Sequence, residues 1–208
     1  MKPIDVSLAI GAVTREVKSV ERDDKTAKVI VATRVFDTGV ADVWDAITAP
    51  DRLARWFLPI EGELRVGGKY QLKGNAGGTI TTCEPPRHLA VTWEFGGQVS
   101  WVEVRLEPQG AQTRLTLEHT AHVEKHWTEF GPGAVGVGWD LTLIGLYLHT
   151  LGAMESADEG TAWAATDEGK QFMRLSSEGW SRASIAAGAD AQEARAAGDR
   201  TTAFYTGS

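Results

Sequence analysis

Cysteine is almost absent from this sequence. Cys83 is the only cysteine among 208 residues, so no disulfide can form within the chain. A chain without disulfides is typical of a reducing compartment. The first residues contain neither a long apolar run nor a small-residue cleavage site, so we predict no signal peptide and a cytoplasmic location.

Basic residues are also few. The chain has 21 Lys and Arg against 28 Asp and Glu, which gives a formal net charge of −7. Proteins that bind phosphate backbones or anionic membrane surfaces need clustered positive charge. The charge balance therefore predicts that nucleic acid is not a partner and that anionic membranes are not bound.

Long apolar runs without polar residues are lacking as well. Residues 134–154 form the nearest candidate, but they include Asp140 and His149, and no Lys or Arg lies near either end. A membrane span of this length is expected to be free of such charges and flanked by basic anchors. We predict a buried helix here and no membrane insertion.

The apolar residues that are present, 42% of the chain, follow two kinds of spacing. Residues 14–20 and 27–36 are β-branched runs separated by a polar turn, which predicts a hairpin. A helical period follows, and Pro50 is suited to the first turn of a second, short helix over 51–56. The helical period is carried by Val40, Val43, Trp44 and Ile47.

Residues 64–66 are predicted to be a strand that ends at the Gly67-Gly68 turn. Five further short runs, separated by Gly or Pro turns, predict an antiparallel sheet. Their alternation puts apolar residues on one face and polar residues on the other, so one face is expected to be covered. The runs span 69–74, 79–84, 88–95, 98–107 and 112–120, and their apolar face includes Leu89, Val91, Trp93, Phe95, Val102, Val104, Leu106, Leu115, Leu117 and His119.

The helix over 134–154 is predicted to cover this sheet, because it has two apolar stripes and therefore needs two neighbours. Its second neighbour is expected to be a helical extension with one helix over 167–187, capped by Thr166, and another starting at Asp190. The predicted fold class is α+β. Residues 1–155 are expected to form the main domain, and residues 156–208 an extension packed on the same core.

The stretch over 40–59, Val-Ala-Asp-Val-Trp-Asp-Ala-Ile-Thr-Ala-Pro-Asp-Arg-Leu-Ala-Arg-Trp-Phe-Leu-Pro, followed by Gly67-Gly68-Lys69-Tyr70, resembles the START-like (SRPBCC) superfamily. Within it, the pattern is similar to the branch of the activator of heat-shock-protein ATPase. The resemblance covers residues 27–154. It implies a helix-grip (START/Bet v-like) fold with a cavity between a curved antiparallel sheet and a long C-terminal helix. Family members include lipid and small-molecule carriers, polyketide cyclases, resistance proteins and co-chaperone modules.

We predict that this cavity binds a small hydrophobic or aromatic molecule, including lipids, and that binding is favoured over catalysis. One alternative is a polyketide cyclase or dehydratase with His119 and Tyr147 as acid–base candidates. The other is a co-chaperone-like protein-interaction module, and a homodimer also stays open. The predicted ligand-binding residues are Trp56, Tyr70, Leu72, Trp93, Phe95, Leu117, His119, Trp139, Leu143 and Tyr147.

Two motifs suggest chemistry that their context does not favour. His119, His122 and His126 form a loose cluster without a cysteine, and we expect a solvated loop rather than a metal site. The glycines of residues 131–136 match the dinucleotide-binding pattern, but an antiparallel strand precedes them and no strand follows the helix. We therefore predict no cofactor and interpret these glycines as a flexible start of the helix, with a role as a gate to the cavity.

Overall fold

The computed structural model describes residues 4–207. An eight-stranded antiparallel sheet, in the order β1-β2-β8-β7-β6-β5-β4-β3, curves around a long helix, which confirms the predicted α+β helix-grip fold. The strands are β1 (Val13–Arg22), β2 (Lys25–Phe36), β3 (Ile60–Gly62), β4 (Lys69–Leu72), β5 (Gly77–Glu84), β6 (His88–Phe95), β7 (Gln98–Gln109) and β8 (Gln112–His122).

Helices flank the strands and follow them in the chain. They are α1 (Val6–Gly11), α2 (Val40–Thr48), α3 (Pro50–Trp56), α4 (Lys125–Phe130), α5 (Gly133–Thr150), α6 (Ala157–Ala164), α7 (Asp167–Ala186) and α8 (Ala191–Thr206). Three of these helices, α1, α4 and α6, were not predicted. Each is six or eight residues long, too short for a helical period to stand out.

The N-terminal hairpin is tighter than its sequence suggested. Its two strands are joined by Asp23 and Asp24 alone, with φ angles of 51° and 57°. Positive φ at both positions gives a two-residue turn whose twist matches that of the strands, and aspartate tolerates this conformation. The second strand then pairs with β8, where Ile30 lies opposite His119.

Strand β3 lies earlier in the chain than expected. The residues around Leu64 were interpreted as the strand before the Gly67-Gly68 turn, but Leu64 and Val66 lie in an exposed connection. Residues 60–62 make the ladder with β4 instead. Since a short apolar run next to glycines fits either a strand or a loop, its sequence did not decide between them.

The C-terminal helices pack on α5 and on the N-terminal hairpin. Thr166 accepts a hydrogen bond from the Gly169 amide and Asp190 accepts from the Gln192 and Glu193 amides, so both predicted caps are present. A Cβ at Gly136 would lie 2.4 Å from the Trp180 ring, and one at Gly133 would lie 2.9 Å from Thr201.

The glycines at the start of α5 therefore serve close packing of helices. The flexible gate suggested for them does not fit, because Gly133 and Gly136 are buried against α8 and α7.

Asp140 on α5 joins these layers inside the protein. Its carboxylate is fully buried and accepts from Arg15 Nε of β1 at 2.8 Å. The same oxygen accepts from Ser176 Oγ and from Trp180 Nε1 of α7, the latter at 3.1 Å. Burial raises the pKa of Asp140, and these three donors oppose that rise by stabilising the carboxylate.

Among residues 4–207, no helix is both long and apolar enough to cross a membrane.

Candidate functional site

An apolar cavity lies between the inner face of the sheet, helices α2 and α3, and helix α5. Its volume is about 190 Å³. Inner-face residues Leu89, Val91 and Trp93 are only partly buried, because the side chains of α5 do not fill the space in front of β6. The wall is formed by Ile47, Thr48, Pro50, Leu53, Trp56, Phe57, Ile60, Glu61, Gly62, Glu63, Leu64, Tyr70, Leu72, Ile80, Leu89, Val91, Trp93, Val102, Val104, Leu115, Leu117, Trp139, Thr142, Leu143 and Leu146.

The opening of the cavity lies beside β3. Glu61, Glu63 and Leu64 belong to the wall and are exposed to solvent, which places an opening of the cavity at β3 and the β3–β4 connection. The two glutamates are the charged residues of the wall. The interior beyond this rim is apolar and suits an uncharged ligand.

The polar groups on the wall are turned toward the protein. Trp56 Nε1 donates to the Ala46 carbonyl at 2.9 Å, and the Tyr70 hydroxyl donates to the Thr92 carbonyl at 2.8 Å. Burial is the main cause that raises the pKa of the Tyr70 phenol. Thr142 Oγ1 donates to the Gly138 carbonyl within its own helix at 2.9 Å. These groups have partners and leave apolar surface facing the cavity.

Trp93 differs from the other two tryptophans of the wall. Its ring lies 5.2 Å from that of Trp139, tilted by 59°. Its indole N–H has no acceptor within the part of the chain that the structure describes, and the indole nitrogen is not fully buried. The indole N–H of Trp93 is therefore an accessible hydrogen-bond donor.

His119 lies behind the wall and takes part in a chain of hydrogen bonds that links Trp139 to Ser100. Trp139 Nε1 donates to His119 Nδ1 at 2.9 Å, so Nδ1 is an acceptor and the proton of the neutral ring is on Nε2. Nε2 then donates to Ser100 Oγ at 2.8 Å, and Ser100 donates to the Trp93 carbonyl at 3.2 Å. The chain fixes both Trp139 and the tautomer of His119.

Burial keeps His119 neutral. Its side chain is buried, and desolvation lowers its pKa from 6.5 to about 4. Both ring nitrogens have protein partners, so neither is available to take a proton from a ligand or give one to it. This arrangement makes His119 a support for the tryptophan wall.

Seven of the ten predicted ligand-binding residues lie on the cavity wall: Trp56, Tyr70, Leu72, Trp93, Leu117, Trp139 and Leu143. Whether they contact a ligand stays a prediction. Three residues lie elsewhere. His119 is behind Trp139, Phe95 is 59% exposed at the end of β6, and Tyr147 packs beneath Arg34, whose guanidinium carbon is 4.1 Å from the ring centroid.

Phe95 and Tyr147 were misplaced for different reasons. Phe95 follows the alternation of β6, but it is the last residue of the strand and is largely exposed to solvent. Tyr147 shares a helical stripe with Leu143 but lies one turn further along α5, where Phe36 and Arg34 of β2 are its neighbours.

Apart from Trp56, sequence reasoning missed the contribution of α2 and α3 to the wall. Ile47 and Leu53 line the cavity from these helices. The apolar spacing of α2, which includes Ile47, was recognised as a helical stripe, and such a stripe signals a buried face but not the element that the face meets.

The three histidines of the loose cluster point to different neighbours. His122 meets the edge of Trp101 at 5.3 Å, and His126 packs against Phe130 at 4.9 Å on the exposed face of α4. His119 is bound to Trp139 and Ser100. Within residues 4–207, no group of three or more His, Cys, Asp and Glu side chains is arranged to hold a metal ion.

The curved sheet, the long helix and the apolar cavity between them define a START-like helix-grip protein. The chain matches the family described as Activator of Hsp90 ATPase homolog 1-like protein over residues 37–147, and it belongs to that family. This confirms the branch suggested by the residue pattern. The family fold suggests a ligand-binding or cyclase-like role.

Solved structures show the same fold over a longer stretch. The crystal structure of CalU16 from Micromonospora echinospora is 32% identical, with a TM-score of 0.67 over 83% of this chain and 98% of that chain. The solution NMR structure of CalU16 is 34% identical, with a TM-score of 0.70 over 85% of this chain and 97% of that chain.

A more distant structure is DynU16, described as a putative protein in the dynemicin biosynthetic locus. It is 20% identical, with a TM-score of 0.54 over 62% of this chain and 49% of that chain, and this likeness shows the fold alone. A search of curated proteins found no match.

Proposed function

We propose that the protein binds a small, uncharged aromatic molecule in the cavity between sheet and α5. The observation that carries this proposal is the wall itself, which combines three indole rings with aliphatic side chains and has its charged residues only at the rim. Aromatic rings pack favourably against other rings at tilted or offset geometries. The tilted pair Trp93 and Trp139 offers such surfaces.

The size of the cavity limits the ligand. Its volume of about 190 Å³ compares with the cavity of about 150 Å³ that holds benzene in a well-studied lysozyme variant. A body of one or two fused rings fits this space, whereas a sterol or a long polyketide is too large for it. The free N–H of Trp93 favours a ligand with a hydroxyl or carbonyl oxygen.

A cyclase-like enzyme is less well supported. Its two acid–base candidates do not face the cavity, because both nitrogens of His119 are engaged and Tyr147 lies beneath Arg34. A general acid or base must reach the proton that it transfers. The carboxylates of Glu61 and Glu63 are at the solvent-exposed rim.

The co-chaperone alternative remains a prediction from the family name, and cytoplasmic location remains a prediction as well.

Binding is tested most directly by tryptophan fluorescence. Naphthol is titrated into the protein, and quenching of the wall tryptophans gives the dissociation constant. Val91→Phe places an added ring in the cavity, since Val91 lies on the wall of β6. We expect this variant to weaken naphthol binding by about tenfold or more, which is about 1.4 kcal/mol.

The matched control is Val99→Phe. Val99 is 49% exposed and is not part of the wall, although it receives the same substitution in the neighbouring strand β7. Its affinity for naphthol should equal that of the unmodified protein. Equal affinity in the Val91→Phe variant, with the fold retained by circular dichroism, would refute binding in this cavity.

A further inference from the structure

A second apolar cavity lies on the other side of α3, beneath the helix α6 of the C-terminal extension. Its volume is about 250 Å³. Its walls come from α5, from the end of α3 and from the segment 154–164, which lies outside the residues that match the family. The lining residues are Trp56, Phe57, Leu58, Leu141, Thr142, Ile144, Gly145, Leu148, Met154, Ala157, Gly160, Thr161, Trp163 and Ala164.

The two cavities share a wall. Trp56, Phe57 and Thr142 line both of them. Two of these side chains are fixed by hydrogen bonds, Trp56 to the Ala46 carbonyl and Thr142 to the Gly138 carbonyl. Phe57 is half-buried and is held by packing, with its ring stacked on that of Trp56 at 5.5 Å. Phe57 is therefore the part of the wall that can turn without breaking a hydrogen bond.

The volumes of the two cavities favour a single ligand that occupies both of them. Pockets that enclose a drug-sized ligand begin at roughly 300 Å³. Each cavity alone is smaller than this, at about 190 and 250 Å³, whereas the joined space is larger. The second cavity has aliphatic walls from Leu141, Ile144 and Leu148, which suit a hydrocarbon chain.

We propose that the space beneath α6 receives the apolar tail of a ligand whose ring lies in the main cavity, and that Phe57 is the movable wall between them. This inference rests on the proposed function and specifies its ligand class as aromatic rings with an alkyl tail. It also assigns a role to the extension, since Met154, Gly160 and Trp163 line the tail cavity.

The test uses para-alkylphenols with tails from ethyl to octyl. Each methylene that becomes buried strengthens binding about fourfold. If the tail enters the second cavity, affinity for the full-length protein rises continuously from ethylphenol to octylphenol. If the tail does not enter the second cavity, affinity stops rising after the first carbons, since the main cavity has room for only a few carbons beside the ring.

Gly160→Leu fills the second cavity selectively. A Cβ at Gly160 meets Met154 Sδ at 3.4 Å, an ordinary contact, and leucine is a better helix former than glycine. We expect octylphenol to bind about tenfold more weakly or worse, with ethylphenol unchanged. Ala162→Leu is the matched control, because Ala162 is an exposed residue of the same helix and does not line the cavity.

Association rates test the role of Phe57. In the unmodified protein, octylphenol should associate more slowly than ethylphenol, because the ring of Phe57 has to turn first. Phe57→Ala should remove this difference.

The outcomes separate the two proposals. Failure of every alkylphenol to bind would refute the proposed function together with this inference. Binding that is independent of tail length, or equal weakening of all phenols by Gly160→Leu, would refute the inference alone. Equal association rates in the unmodified protein would refute the movable wall.

Discussion

Trp139 donates its indole N–H to Nδ1 of His119 across 2.9 Å, and this bond joins helix α5 to strand β8 behind the cavity. It decides the chemical role of the histidine. A buried ring whose two nitrogens are both bonded is held in a single tautomer and cannot exchange protons with a ligand. The same bond holds the orientation of Trp139, which forms part of the apolar wall.

The first prediction concerns acid stability. Burial lowers the pKa of His119 to about 4, so between pH 6.5 and 4 the unfolded chain binds a proton at this residue that the folded protein does not bind. The contribution of His119 to stability is therefore complete above about pH 6.5 and declines as the pH falls to about 4, by about 3 kcal/mol in all. Urea unfolding as a function of pH measures this decline.

The control for this measurement separates His119 from the carboxylates that titrate in the same range. His119→Asn should flatten the pH dependence relative to the unmodified protein. It should do so to a greater extent than His126→Asn, which makes the same substitution at an exposed position on α4. If the free energy of unfolding of His119→Asn fell with decreasing pH as steeply as that of the unmodified protein, the decline could not be attributed to His119.

The second prediction concerns the buried ion pair between Asp140 and Arg15. Asp140→Leu leaves the Arg15 guanidinium, 7% exposed, without its carboxylate, so the free energy of unfolding should fall by about 3–5 kcal/mol. Asp45→Leu removes the exposed partner of Arg52 and should cost about 1 kcal/mol or less. Urea denaturation compares the two variants.

A double variant checks that charge is the cause. Arg15→Met combined with Asp140→Leu replaces both charges by apolar groups, and it should recover much of the lost stability. A double variant as unstable as Asp140→Leu alone would show that the loss has another origin.

The third prediction concerns the contact between α5 and α7. Gly136→Ala places a methyl group 2.4 Å from the Trp180 ring, and the resulting overpacking should lower the free energy of unfolding by about 1–3 kcal/mol. Gly145→Ala lies in the same helix, and its nearest neighbour is the Trp56 carbonyl oxygen at 3.4 Å. That variant should be neutral or slightly stabilised, because alanine favours the helix. Thermal unfolding of both proteins is the measurement, and equal losses would contradict the packing argument.

The arrangement of strands and long helices was predictable because each has a period that its length makes visible. The alternation over β6, β7 and β8 identified the covered face, and caps at Thr166 and Asp190 marked the starts of α7 and α8. Helices α1, α4 and α6 are too short to show such a period. Trp93 and Leu117 were identified as cavity residues for the same reason, since they belong to the covered face of the sheet.

Contacts between distant segments were not predictable from periodicity. Asp140 appeared in the sequence only as a charge in an apolar helix, and its partners Arg15 and Ser176 lie in other elements. The same limit applies to His119, whose tautomer depends on Trp139 and Ser100 rather than on its neighbours in the chain. Tertiary packing sets these roles, and a single sequence does not display it.

The pairing of β2 with β8 also sets an order of events during synthesis. Ile30 of β2 pairs with His119 of β8, which is synthesised much later. The β2 edge of the N-terminal hairpin therefore emerges from the ribosome long before the strand that pairs with it. Contacts between such distant residues form slowly, and an unpaired strand edge is prone to aggregate in the meantime. The nascent protein therefore carries an unpaired strand edge from the emergence of β2 until β8, the last strand, is released, and the sheet is complete only then.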